Sequence, residues 1–220
     1  MMNRMPAREL EDLPFAPFLE PWDGKLLADA RYDTVHFDAA ELEAPVATGA
    51  RFIESALTST TFDGGSFRLS RWSDVWMKAV RWIGTDLSGT DWMDVEITGS
   101  VFAGTTVYDA QLRRVVIRES KADSVNLRGS RLQEVSFVDC QLSHLDFAGA
   151  TLTDVTFEGC ELHGAAFDNA HLKNVDFRHA HELAITSGYD ALKGATISTS
   201  QLVNLAPALA QVLGISVVDG

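Results

Sequence analysis

From Phe52 to Phe177 every fifth residue is apolar, in 26 consecutive positions. The series opens Phe52, Leu57, Phe62, Phe67, Trp72 and closes Phe157, Leu162, Phe167, Leu172, Phe177. A helix repeats every ~3.6 residues and a strand every ~2, so neither can bury such a set. A solenoid that turns a corner every five residues and points the fifth side chain inward can. A longer period sets the coil size. Val75, Val95, Val115, Val135, Val155 and Val175 recur at a spacing of 20, each two residues before a bulky centre. Small residues recur at the same spacing in Ser70, Thr90, Ala110, Ser130, Ala150 and Ala170, and in Val80, Ser100, Ser120, Cys140, Cys160 and Ala180. Periods of 5 and 20 predict an all-β solenoid of square coils, four pentapeptides to a turn. Phe137, Phe147, Phe157, Phe167 and Phe177 belong to its core stack.

Proline marks the boundaries. Five of the six prolines lie at or before Pro45 and the sixth is Pro207, as expected where backbone N–H groups serve a ladder. Residues 1–30 read as an irregular apolar arm, 31–198 as the solenoid and 199–220 as a helical cap. The arm is expected to fold back over Leu69, Trp76, Ile83, Met93 and Tyr108, which face outward on the early coils; the alternative is an exposed patch for a second molecule. After a looser stretch from Glu182 to Lys193, Gly194–Ser198 restores the phase. Thr199-Ser200 then signals a helix start and Pro207 the opening of a second short helix, with Gly214 as its stop. Leu202, Leu205, Leu209, Val212 and Leu213 are the expected cap contacts. The chain has no apolar run long enough to span a membrane, and its start turns acidic where a signal peptide would turn apolar, so the expected compartment is the cytoplasm.

Catalytic signatures are lacking: there is no nucleophile elbow, phosphate-binding loop or paired metal-ligand motif. His179-Ala180-His181-Glu182 is one histidine short of a zinc helix. His144 and His163 fall on consecutive turns of one face, where solvated side chains are the ordinary outcome. Cys140 and Cys160 stack one coil apart and are read as buried free thiols. A convex rod supplies no cleft to shift an acid's pKa, so the reading is a non-enzyme with no catalytic residue, metal or cofactor.

Charge is uneven. The formal net charge is −13, with seven acids against two bases between 136 and 180 and ten of each between 61 and 135. Asp139, Asp146, Asp154, Glu158, Glu161, Asp168 and Asp176 make the later coils a candidate acidic interaction surface. Arg113, Arg114, Arg118, Lys121, Arg128 and Arg131 form a candidate basic band. Within a net-negative molecule that band is not expected to hold nucleic acid directly.

Pentads such as Ala150-Thr151-Leu152-Thr153-Asp154, Val175-Asp176-Phe177-Arg178-His179, Val125-Asn126-Leu127-Arg128-Gly129 and Thr85-Asp86-Leu87-Ser88-Gly89 resemble the motif of the pentapeptide-repeat family. The resemblance covers at least residues 50–180, and Tyr32, Phe37 and Leu42 keep its phase. Frequent valine at the small position and tryptophan at three centres depart from the family pattern. The resemblance implies a right-handed quadrilateral parallel β-helix. For the C-terminal helical element it leaves two alternatives, a cap alone or a cap that also forms a homodimer. Two functions remain open: a rigid, acidic protein-interaction scaffold with an unnamed partner, or a DNA mimic that binds DNA gyrase or a related topoisomerase and protects it from poisons such as fluoroquinolones.

Overall fold

The fold rests on what the chain does at every fifth residue. On three of the four sides, three residues of the pentad are extended and the one after them turns the corner with a positive φ, as at Asp74, Asp94 and Asp154 (55°, 58° and 55°). Asp, Asn and Gly tolerate this left-handed conformation better than other residues, which explains their recurrence there. The result, in a computed structural model describing residues 7–22 and 24–218, is a stack of parallel coils. One sheet has eight strands, one per coil; a second, 13-stranded sheet covers two adjacent sides. The remaining side is joined by single parallel bridges such as Asn126 to Asp146. Four inward columns result. Face 1 carries Phe67, Leu87, Val107 and their equivalents, face 2 Trp72, Trp92 and Leu112, face 3 Met77, Ile97 and Ile117, and face 4 Trp82, Phe102 and Ala122.

Register follows the 20-residue period: Val95 lies beside Val115, Val115 beside Val135, and so on to Val175. Rings stack along the axis, Phe137 on Phe157 and Phe157 on Phe177 at 4.9 Å each, and Phe52 on Trp72 at 3.8 Å. The small position two residues before each centre also serves polarity. Ser70 and Thr90 accept the buried indole N–H of Trp72 and Trp92, each at 2.8 Å. Trp82 has Val80 at that place, and its indole nitrogen is buried without a partner. Cys140 and Cys160 are buried free thiols on this same inward column. The Cys160 thiol is pushed up, first by its hydrogen bond with Cys140 and then by burial.

Both ends are covered. Glu20–Pro21 adds a parallel strand to the open edge at Val35–His36, and Trp22 stacks on Phe37 at 5.1 Å. Before that strand, Leu13 and Phe15 bury the outward Trp76, whose indole donates to the Arg8 carbonyl at 3.1 Å. The arm leaves Leu69 and Tyr108 exposed. At the other end the expected pair of helices is a single one, Thr199–Val212, with Pro207 inside it. Ser198 caps it through a reciprocal box with Gln201. Pro207 and Val203 both lie on the exposed side, where water can take the carbonyl that proline leaves unbonded. Gln201 reaches back into the last coil and donates to the carbonyls of Phe177 (2.7 Å) and Ala180 (3.3 Å). The stretch expected to be loose contains a strand, Glu182–Ser187, which pairs with Glu161–Ala166 through a shifted register because His181 is one residue extra. Phase returns at Ala195–Thr196, beside Val175–Asp176.

Phe157→Ala is expected to cost about 3–5 kcal/mol, since its ring is sandwiched between two others at full burial. Thr151→Ala, on the outside of the preceding pentad, should stay within about 0.5 kcal/mol. Urea unfolding of the two variants followed by circular dichroism checks both values.

Candidate functional site

A backbone that repeats in register places every residue of one sequence phase in a straight row on the rod. The corner following face 2 carries Glu54, Asp74, Asp94, Arg114, Glu134, Asp154 and Asn174, all with φ between 44° and 58°. Identical backbone angles send these side chains out in one direction, at the ~4.8 Å spacing of neighbouring strands. Five carboxylates and one guanidinium therefore form a fixed row along the molecule.

Within it, Arg114 grips Asp94 with two hydrogen bonds, Nε to Oδ1 at 2.6 Å and Nη2 to Oδ2 at 2.7 Å. That guanidinium holds the Asp94 carboxyl below its ordinary range. Asp74, next in the row, is pushed up, first by partial desolvation and then by the charge of Asp94. The two shifts act oppositely on stability. Asp94 contributes stability that is complete above the ordinary carboxylate value and lost as pH falls through its lowered one. Asp74 costs stability at neutral pH, recovered as pH falls from its raised value to the ordinary 3.8. A groove of about 540 Å³ runs between the arm and this part of the row, with Phe15, Phe18 and Arg8 on one side and Asp74, Asp94 and Arg114 on the other.

The acids singled out from sequence do not gather into one patch. Asp139, Glu158 and Asp176 lie along face 3, Asp146 and Asp168 on face 1, Glu161 on face 4, and only Asp154 on the corner row. Several are engaged within the fold. Arg128 reaches Asp146 at 3.1 Å, Arg178 reaches Asp176 at 2.7 Å, Ser187 donates to Asp168, and Asn174 donates to Asp154 at 2.9 Å. The Arg178 hydrogen bonds hold the Asp176 carboxyl low. The basic band likewise wraps the coil: Arg113, Arg114 and Arg131 belong to face 2 and its corner, Arg118 to face 3, Lys121 to face 4 and Arg128 to face 1. Arg113, Arg114 and Arg128 each pair with an acid one coil away. Asp74, Asp94, Glu134 and Glu54 are the members that summing charge by segment passes over. The 20-residue period that aligns the valines also aligns them.

Of the cap residues, Leu205 is buried and Leu209 packs against the core, whereas Leu202, Val212 and Leu213 are exposed, Leu213 at 72%. His144 bonds to Asp123 at 3.2 Å and His163 to Glu182 at 3.0 Å. Among the described residues no group of three or more His, Cys, Asp or Glu side chains is placed to hold a metal ion. Nor, among them, is any helix long and apolar enough to cross a membrane.

Square coils of four pentads, with bulky centres and small residues two places before them, define a pentapeptide-repeat solenoid. Residues 90–167 match the family model described as a pentapeptide repeat region. Among solved structures it is similar to a trypsin-treated variant of QnrB1, a plasmid-mediated fluoroquinolone resistance protein, at 19% identity and a TM-score of 0.44, covering 91% of this chain and 97% of that one. It is also similar to HetL, involved in heterocyst differentiation regulation in the cyanobacterium Nostoc sp. strain PCC 7120, at 16% identity and a TM-score of 0.36, with 79% and 92% covered. A third is Rfr23 from the cyanobacterium Cyanothece 51142, at 11% identity and a TM-score of 0.24, with 64% and 89% covered. None is near enough to speak for this chain's partner. A search of curated protein sequences found no match.

Asp74→Asn is expected to raise the melting temperature at pH 7, by removing a partly desolvated charge and, second, its repulsion from Asp94, and to leave it unchanged below pH 3.8. The part of the gain that comes from repulsion should shrink in high salt, while the desolvation part remains. Melting curves at two pH values and two salt concentrations check the sign and the window.

Proposed function

We propose that the protein is a non-catalytic, rigid scaffold that presents the corner row of carboxylates to a cationic surface on a protein partner. The observation that carries this reading is the row itself, Glu54 to Asn174, whose members share one backbone conformation and cannot drift apart. Charges fixed before the encounter steer a partner from a distance and lose little freedom on binding.

A second reading is supported by the same row: the partner is a DNA-handling enzyme such as DNA gyrase or a related topoisomerase, and the rod stands in for duplex DNA. Eight coils at ~4.8 Å make a rod of roughly 40 Å. Duplex DNA of that length carries on the order of 23 charges, and the chain's formal net charge is −13. The rod itself, residues 31–198, has 15 bases against 24 acids, net −9, about two fifths of the duplex charge, enough for attraction by a DNA channel and readily weakened by salt. Arg114, Arg113 and Arg131 interrupt the negative field midway.

The discriminating experiment is a gyrase supercoiling assay with the protein titrated in, with and without a fluoroquinolone, at two salt concentrations. Salt-sensitive inhibition, or relief of drug-induced cleavage, that is lost in Glu134→Lys/Asp154→Lys is the outcome expected of the mimic. No effect at tens of micromolar removes that reading. The general scaffold is then tested by affinity capture with the same variant as the control: a partner retained equally by both would remove the corner row from the contact.

The exposed Leu202, Val212 and Leu213, beside the buried Leu205, suit a homodimer through the outer side of the terminal helix. Leu202→Glu/Leu213→Glu is expected to convert the dimer to a monomer in light scattering without loss of β-structure. A parent protein that is monomeric at tens of micromolar refutes this pairing.

A further inference from the structure

The coils differ sharply in what they put inside. The coil ending at Trp82 contributes Phe67, Trp72, Met77 and Trp82, and the one ending at Phe102 contributes Leu87, Trp92, Ile97 and Phe102. The next contributes only Val107, Leu112, Ile117 and Ala122, with no ring among them; the one after it brings back Phe137. Main-chain bonds run from this coil to both neighbours, for example from Thr106 N to the Thr85 carbonyl and from Val107 N to the Asn126 carbonyl. Its perimeter is therefore the same as that of a coil filled with tryptophan. A wall held at fixed circumference cannot close around smaller contents.

The shortfall appears as an apolar cavity of about 60 Å³ on the solenoid axis, lined among others by Phe102, Val107, Leu112, Ile117, Ala122 and Phe137. All four faces contribute to its walls. Phe102, Ile117 and Ala122 point inward yet keep accessible surface, whereas inward Phe147, Leu152, Phe157 and Leu162 two coils on have none. The aromatic ladder breaks here too: the last stacked pair before the gap, Trp82 and Phe102, stands 6.4 Å apart. The one indole on the wall, that of Trp92, already donates to Thr90 at 2.8 Å. Water entering the cavity would find no hydrogen-bond partner, and cavities lined this way stay dry and accept apolar guests.

We infer that this cavity is a binding site for a small non-polar molecule, a gas atom or a guest of a few heavy atoms. An apolar cavity of about 150 Å³ accommodates benzene or xenon. At about 60 Å³ the space here suits a single xenon atom and is too small for a ring. The site lies inside the rod, away from the corner row, and depends on neither reading of the partner.

The test uses the full chain with labelled methyl groups and dissolved xenon under pressure. Saturable shifts are expected at the methyls of Val107, Ile117 and Ala122, with only weak linear drift at Val155 and Leu162. Ala122→Leu should fill the space, abolish the saturable part and raise the melting temperature; Ala122→Val should weaken it and serves where the larger side chain does not fold. Benzene should give no saturable shift at these methyls. The proposal is overturned if Val107 and Ala122 respond no more than Val155, or if a folded filling variant binds xenon as the parent does.

Discussion

Every coil is tied to the next by parallel main-chain hydrogen bonds, as where Leu127 N donates to the Asp146 carbonyl and Asp146 N to that of Val125. This ladder fixes perimeter, corner angle and rise before any side chain is chosen. What remains for the sequence is to fill a box of set size and to decorate its outside at set points. The aromatic stacks fill the box well, because rings 4.9 Å apart follow a rise that the backbone has already imposed. The coil around Ala122 fills it poorly, and a cavity of about 60 Å³ there costs roughly 1.5 kcal/mol.

A ladder of this kind has two open ends, and both are closed by segments outside the repeat. At the start, Glu20–Pro21 pairs with the free edge while Trp22 lies over Phe37. Proline is tolerable there because an edge strand need not donate on its outer side. At the finish, the Gln201 amide satisfies two carbonyls of the last coil and Leu205 covers its core. The hydrophobic effect and main-chain satisfaction are thus met by the same few residues at each end.

The coil was legible in the sequence because its two periods are backbone properties, and a backbone property touches every repeat alike. The caps were less so. Pro207 reads as a helix start by local preference, but the helix runs through it where the unbonded carbonyl lies on the wet side. The strand Glu182–Ser187 hides behind one additional residue, His181, which shifts the register by one. The surface was harder still. Counting charge by segment gathers Asp139, Asp146 and Glu161, which the coil distributes over three faces. It also passes over Asp74 and Glu134, which stand in line with Asp154. The information was present at a spacing of 20, but only a known coil shows which of the outward columns is a corner of carboxylates.

Core and surface change character in the same coil. Where residues 105–124 give up aromatic stacking inside, cations appear outside and reach the acids of the adjoining coils. Arg114 pairs with Asp94 at 2.6 Å and Arg113 with Asp91 at 3.6 Å. Exposed pairs of this kind are weak and screened by salt, but the two-bond Arg114–Asp94 contact has the geometry that makes such a pair count. The positive interruption of the acidic row is therefore explained without a partner: it ties the least filled coil to its neighbours from outside. On either side of it, among the described residues, the row is held more loosely: Asp154 accepts one hydrogen bond from the neutral Asn174 at 2.9 Å, against the two charged bonds between Arg114 and Asp94. That is the physical reason to look for a partner at those carboxylates and not at the arginines.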